Sequence, residues 1–255
     1  MEDLGPALDG CGCRRIYPSS RKRKFMLLGN KTLITVSLAI FLAPITAHLA
    51  AQDLKTVLAK LDAAAPNFHS TSANFEFDSY QTDPVPDKEV QKGTVYYARH
   101  GSDFEMAAHI DQENDKPVPK IYTFSKGVFR LYEKLPDQVT TYKNDKLGGY
   151  LLLGFGASGQ ELAEKWDITY AGEETIDGVK TEKLELVPKD PAVRKNLPKV
   201  TVWMDTARGV SLKQVFDQGE GQSRVCVYFN FKFNQPLPSD VFTFKTDSKT
   251  QFVNR

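Results

Sequence analysis

Two hydrophobic periods divide the chain. Residues 53–64, DLKTVLAKLDAA, place Leu54, Val57, Leu58 and Leu61 at i, i+3, i+4 and i+7, which predicts one apolar helical face ending near Pro66. From Phe68 the period drops to two. In SANFEFDSY, Ala73, Phe75 and Phe77 alternate with polar neighbours, as a half-buried strand requires. The proline-broken TDPVPDKE predicts a loop, GTVYYAR a strand, and His100-Gly101 a turn into DFEMAAHI. A polar loop from Asp111 to Pro119 leads to IYTFSKGVFRLYEK, where Lys126-Gly127 between two alternating runs predicts a tight hairpin. QVTTYKN follows. Beyond a glycine-rich stretch come DITYAGEE, VKTEKLELVP, KVTVWMD, SLKQVFD and SRVCVYFNFKF, with turns at Asp177-Gly178, Arg208-Gly209 and Gly219-Glu220-Gly221, and VFTFK predicts a short closing strand.

Successive hairpins predict an antiparallel sheet of about ten strands, a size that must curl, split or close. Val225, Val227, Phe229, Phe231 and Phe233 form an apolar row on one face of their strand, with Arg224, Cys226, Tyr228, Asn230 and Lys232 on the other. Only the N-terminal helix and a segment within residues 146–166 are available to cover that row. The fold class is mainly β (α+β). Phe75, Phe77, Tyr122, Phe124, Phe129, Leu131 and Phe229 are expected to point inward, and 16 Phe and 10 Tyr on a curved sheet with few helices suit an apolar cavity.

The N-terminal region changes the picture. Residues 1–51 carry seven Lys/Arg against three acids, so the formal net charge of +1 leaves the remainder slightly acidic and without the basic face that nucleic acid demands. Arg21-Lys22-Arg23-Lys24 followed by TLITVSLAIFLAPITA has the layout of a secretory signal, with cleavage expected between Ala47 and Ala51 and translation starting at Met1 or Met26. Residues 1–51 are therefore expected to be removed, leaving a single domain over 52–255. Cys11 and Cys13 would leave with the signal. Cys226, alone thereafter and mid-strand, reads as a structural residue.

The segment LLLGFGASGQELAEKW, residues 151–166, contains Gly154, Gly156 and Gly159 in the spacing of a dinucleotide-binding turn, with Glu173 and Glu174 about 20 residues on. The helix would have to fit between Gln160 and Trp166, whereas a crossover between parallel strands needs a dozen or more residues. Hairpins surround it on both sides. His69, His100 and His109 have no second ligand at metal spacing, and no G-x-S-x-G elbow is present. The chain is read as a non-enzyme without cofactor or metal.

In its order of elements the chain resembles the LolA family of periplasmic outer-membrane lipoprotein carriers, over roughly residues 52–246. The resemblance rests on DLKTVLAKLD, STSANFEF, GTVYYARHGSDFEM, IYTFSKGVFRLYEK, GYLLLGF, KTEKLELVPKD, the closing hairpins through VCVYFNF, and DVFTFK. It implies an open, half-closed barrel with a helical lid over an apolar cavity that shelters lipoprotein acyl chains. It further implies a monomer that receives cargo from an inner-membrane lipoprotein-releasing ABC transporter and delivers it to an outer-membrane acceptor. By the same resemblance Arg99 stands at the barrel mouth and holds the lid, Phe104 and Met106 are apolar positions just beyond it, and Leu151, Leu152, Leu153 and Phe155 form the lid, whose glycines supply freedom to move. His100 stands where the family has proline, and the Asp111–Pro119 loop is longer than the family's. A lipid-sensing regulatory module on the same fold and, more remotely, a secreted hydrolase are the competing readings.

Overall fold

In the computed structural model, which describes residues 45–101, 103–143 and 153–255, helix α1 (Ile45–Ala64) carries the expected apolar stripe. Val57 and Leu61 are buried, with Leu54 and Leu58 packed beside them. The helix passes into a 3-10 turn, Ala65–Asn67, whose first turn takes Pro66 because an amide hydrogen there has no helical partner.

Strand β1 (Ser70–Gln81) opens a meander through β2 (Asp87–His100), β3 (Asp103–Glu113), β4 (Lys116–Ser125), β5 (Val128–Glu133) and β6 (Gln138–Lys143). After helix α2 (Gly159–Lys165) a second meander runs through β7 (Trp166–Ile176), β8 (Val179–Pro188), the one-turn helix α3 (Pro191–Arg194), β9 (Lys199–Asp205), β10 (Val210–Gly219) and β11 (Gln222–Phe233). The first strand of one meander pairs with the last strand of the other, β1 with β11, and joins both into one sheet. Its order is β12-β6-β5-β4-β3-β2-β1-β11-β10-β9-β8-β7, with β7 and β12 as unjoined edges, so the sheet is open. Two-residue turns with both φ positive close four hairpins, at Asn114-Asp115, Lys126-Gly127, Asp177-Gly178 and Glu220-Gly221.

Four expectations are corrected. The described residues hold twelve strands, not ten. The supposed loop from Asp111 to Pro119 is a strand-turn-strand hairpin. Its prolines are tolerated because the β4–β5 ladder covers only Lys120 to Ser125, so Pro117 and Pro119 lie beyond it. VFTFK is not a strand: residues 234–250 cross the outward face of the sheet, where Val241 is buried, its carbonyl lies 2.7 Å from His109 Nε2 and Phe244 stacks on Tyr132. The closing strand is instead β12 (Gln251–Asn254), which pairs parallel to β6. Finally, the apolar row of β11 is not continuous. Asn230 adopts φ 55°, and the β1 register skips between Ser72 and Asn74, so the alternation changes phase there. Cys226 and Tyr228 face inward before the bulge, Phe231 and Phe233 pack on the inner core after it, and Phe229 is 42% exposed.

Two apolar clusters share the inner face. One lies beneath the helices, where Val57, Leu61 and Leu162 meet Leu184, Leu186, Val200 and Val202. The Glu182 carboxylate fixes α1 there by accepting hydrogen bonds from Lys60 Nζ and Tyr170 Oη, each at 2.9 Å. The other cluster spans β1–β4, β10 and β11 around Phe75, Tyr97, Met106, Phe124 and Phe155.

Candidate functional site

The second cluster does not fill the space that its strands enclose. A cavity of about 400 Å³ opens between β1–β5 on one side and β10–β11 on the other, within the range of ~300–1,000 Å³ of small-molecule sites. Phe75, Phe77, Met106, Tyr122 and Phe129 form its wall together with Val95, Ile110 and Tyr228. Each strand contributes alternate residues, as the two-residue period of a sheet with one inward face dictates. Phe124 shares this face but is 3% exposed in the core behind the lining, stacked on Phe104 with ring centroids 5.2 Å apart. Leu131 is half-buried and outside the lining, and Phe229 lies on the opposite face.

Sequence reasoning passed over Cys226 and Tyr228 as cavity residues because it assigned the polar-looking row of β11 to the outside. Both line the cavity. Burial pushes the Cys226 thiol up to about 12 and both the Tyr97 and Tyr228 hydroxyls far above their ordinary value, so all three are neutral at physiological pH. A thiol held in that form is a poor nucleophile.

One end of the cavity is stopped by residues 153–156. Phe155 is fully buried, stacked on Tyr97 at 4.0 Å and edge-on to Tyr228 at 4.9 Å. The backbone on either side of it is pinned: Ser211 N donates to Gly154 O at 2.7 Å, Gly156 N to Gly209 O at 2.9 Å, and Gln214 Nε2 to Leu153 O at 2.7 Å. Arg99, at the end of β2, adds a fourth tie. Its Nη2 donates to Gly156 O at 3.0 Å, and its Nη1 lies 3.5 Å from Glu161.

Glu161 serves two partners. Its carboxylate accepts the Ser158 amide at 2.8 Å while Ser158 Oγ accepts the Glu161 amide at 3.1 Å, a capping box that starts α2. Burial pushes its carboxyl up, but the Ser158 amide and the Arg99 charge outweigh this and hold it below the ordinary carboxylate value.

The three glycines are fixed by close approach. A Cβ on Gly154 would stand 2.5 Å from Gln214 Nε2, on Gly156 2.3 Å from the Phe68 ring, and on Gly159 2.4 Å from Leu58 O. They let this segment pass tightly between the sheet and α1, and the freedom of movement expected of them has no counterpart in this packing. Among the expected lid residues, Leu153 lines the cavity and Phe155 packs behind its lining residues Tyr97 and Tyr228. Leu151 and Leu152 lie outside the described residues, and the described part of the segment before Gly159 is turn rather than helix.

Among the described residues no group of three or more His, Cys, Asp or Glu is placed to hold a metal, and no helix is long and apolar enough to cross a membrane. The hairpin connections of β7 to β8 exclude the dinucleotide reading of residues 151–166, since α2 leads into an antiparallel pair.

This arrangement defines the class: an open, mainly antiparallel twelve-stranded sheet with an apolar cavity and a pinned aromatic plug at one end. No family model and no curated protein matches the sequence. Among solved structures, the chain is similar to an uncharacterised conserved protein from Thermus thermophilus, with TM-score 0.50 and 13% identity over 80% of this chain and 99% of that one. It is also similar to the Pseudomonas aeruginosa MucA/MucB complex structure (TM-score 0.45, 15% identity, 76% and 61% covered). A LolA superfamily protein from Nitrosomonas europaea is among its structural neighbours as well (TM-score 0.36, 15% identity, 75% and 97% covered). At these identities the likeness is one of fold.

Proposed function

We propose that the protein is a non-enzymatic periplasmic carrier that takes lipoprotein acyl chains into the cavity and shuttles them from the inner to the outer membrane. In this reading it is a monomer, charged by an inner-membrane lipoprotein-releasing ABC transporter and relieved by an outer-membrane acceptor. The observation that carries the proposal is the cavity itself, about 400 Å³ of mostly aromatic and aliphatic wall left open beside a cluster under the helices that packs tightly. Each methylene moved from water into such a wall gains ~0.8 kcal/mol, so a chain of about a dozen methylenes gains on the order of 10 kcal/mol. A carrier with that gain and no opposing cost would not let go. Separating Phe155 from Tyr97 and Tyr228, and Gly156 from Arg99, supplies an opposing cost if the bound chain displaces the plug.

Native mass spectrometry of protein purified from a membrane-containing host tests the reading: co-purified lipid or acylated protein is expected, and a consistently empty cavity would overturn it. Cargo held but never passed to an outer-membrane acceptor would favour the lipid-sensing module instead. For the latch, Arg99→Leu is expected to alter release to the acceptor, and release as ready as in the unaltered protein would remove Arg99 from the mechanism.

A further inference from the structure

The cavity has a polar residue at its rim that the apolar wall does not require. Of the described side chains that line it, Arg224 alone carries a formal charge. Strand β11 brings it inward in step with Cys226 and Tyr228, between Ser79 of β1 and Phe216 of β10. It stands at the end opposite Phe155, on the exposed side of Phe77. Its guanidinium carbon lies 5.9 Å from the centre of the Phe77 ring, and among the described residues it joins no ion pair and no hydrogen bond. Arg99, at the stopped end, differs on every count, since Gly156 and Glu161 occupy its terminal nitrogens.

The rim also holds an acid, Glu89, two strands from Arg224 across Ser79. Its carboxylate accepts Gln91 Nε2 at 2.7 Å, and the same amide reaches Glu113 at 3.2 Å, which is itself paired with Lys120 at 2.7 Å. Glu89 and Glu113 are thus engaged and the guanidinium is not. A planar fork of donors at the open end of an apolar cavity matches an anion tethered to an alkyl chain, because the chain fills the wall while the head stays at the wet edge.

We propose that Arg224 is the headgroup site of the cavity and that the preferred ligand is an anionic amphiphile, its chain against Phe77, Tyr122 and Phe129 and its phosphate or carboxylate on the guanidinium. This rests on the acyl-chain reading above and narrows it.

The test is displacement of the neutral dye 1-N-phenylnaphthylamine from the full chain by four probes: dodecyl phosphate, dodecanol, dodecyltrimethylammonium and inorganic phosphate. Dodecyl phosphate is expected to displace the dye at concentrations about tenfold lower than dodecanol, the value of one charge-assisted hydrogen bond. In Arg224→Gln that advantage should vanish while dodecanol is unaffected. Arg224→Lys should keep part of it, and added salt should erode it in the unaltered protein. Equal displacement by the three alkyl probes would overturn the headgroup site and leave the acyl-chain reading standing. So would an undiminished preference for phosphate in Arg224→Gln, which would put the head elsewhere. Inorganic phosphate matching dodecyl phosphate would mean a site for a free anion and overturn the amphiphile. Failure of the dye and of every alkyl probe to bind would overturn both readings together.

Discussion

Strands β7–β9 and β1–β5 belong to one sheet and draw on the same residue types, yet the first stretch is dry and the second helps to enclose a space. Over β7–β9, helices α1 and α2 press Val57, Leu61 and Leu162 onto Leu184, Leu186, Val200 and Val202, none more than 2% exposed. Over β1–β5 the inward side chains Phe77, Tyr122 and Phe129 stay only half-buried around the cavity. Alternation makes an inward face, but what lies over the face decides whether it becomes core or container. Two helices suffice for one part of a twelve-stranded sheet and leave another part with half-buried aromatic surface.

Substitutions can sharpen or break this contrast. The largest loss is expected from Phe155→Ala, where the halves meet: about 3–5 kcal/mol in urea unfolding, as for other buried aromatics, together with an enlarged cavity. Next comes a matched pair. Leu184→Ala in the dry half should cost about 2–5 kcal/mol, while Phe129→Ala in the cavity wall should cost clearly less and instead weaken alkyl-chain binding. Equal losses of stability would mean that the open half is packed as tightly as the closed one, and the comparison would fail. Gly159→Ala, whose Cβ would meet the Leu58 carbonyl, should cost about 1–3 kcal/mol by forcing α1 from α2. An unchanged midpoint would show that the helical cover can shift.

The smallest effect concerns pH. Because the folded protein holds the Glu161 carboxyl below its ordinary 4.5, the unfolded chain takes up the proton first as pH falls. The stabilisation from Glu161 is therefore present above about 4.5 and is lost as pH drops through the folded value. Glu161→Gln should lack this dependence, so the urea midpoints of the two proteins should converge below about 4.5. Parallel curves would mean that Glu161 does not tie α2 to Arg99 through its charge.

Much of the dry half could be read from the chain alone, because its signals are local. The stripe of Leu54, Val57, Leu58 and Leu61 and the Asp177-Gly178 turn each follow from spacing or from one backbone requirement. The cavity was less legible. Phe75, Phe77, Tyr122 and Phe129 stand in its wall, but the part of β11 before Asn230 was assigned in reverse, since nothing in VCVYFNFKF marks Asn230 as the point where the strand changes phase. A bulge is set by its partner strand, and period counting cannot see the partner. Pro117 and Pro119 misled for a related reason: whether proline breaks a strand depends on which edge of it is paired. The three glycines show the same limit, for their role is defined by Gln214, Phe68 and Leu58, each distant in sequence.

The seam between β1 and β11 carries a further consequence, for the order of assembly. Within each meander every strand pairs with its sequence neighbour, so both can form by local closure, whereas the seam joins groups such as Thr71 Oγ1 and the Lys232 carbonyl, 161 residues apart. Loop-closure entropy makes such a contact slow and late. The cavity takes walls from both sides of the seam, so it exists only once the two meanders have met. A chain emerging in extended form would have no place for a lipid until its final long hairpin was complete, and competence to bind would mark the end of folding.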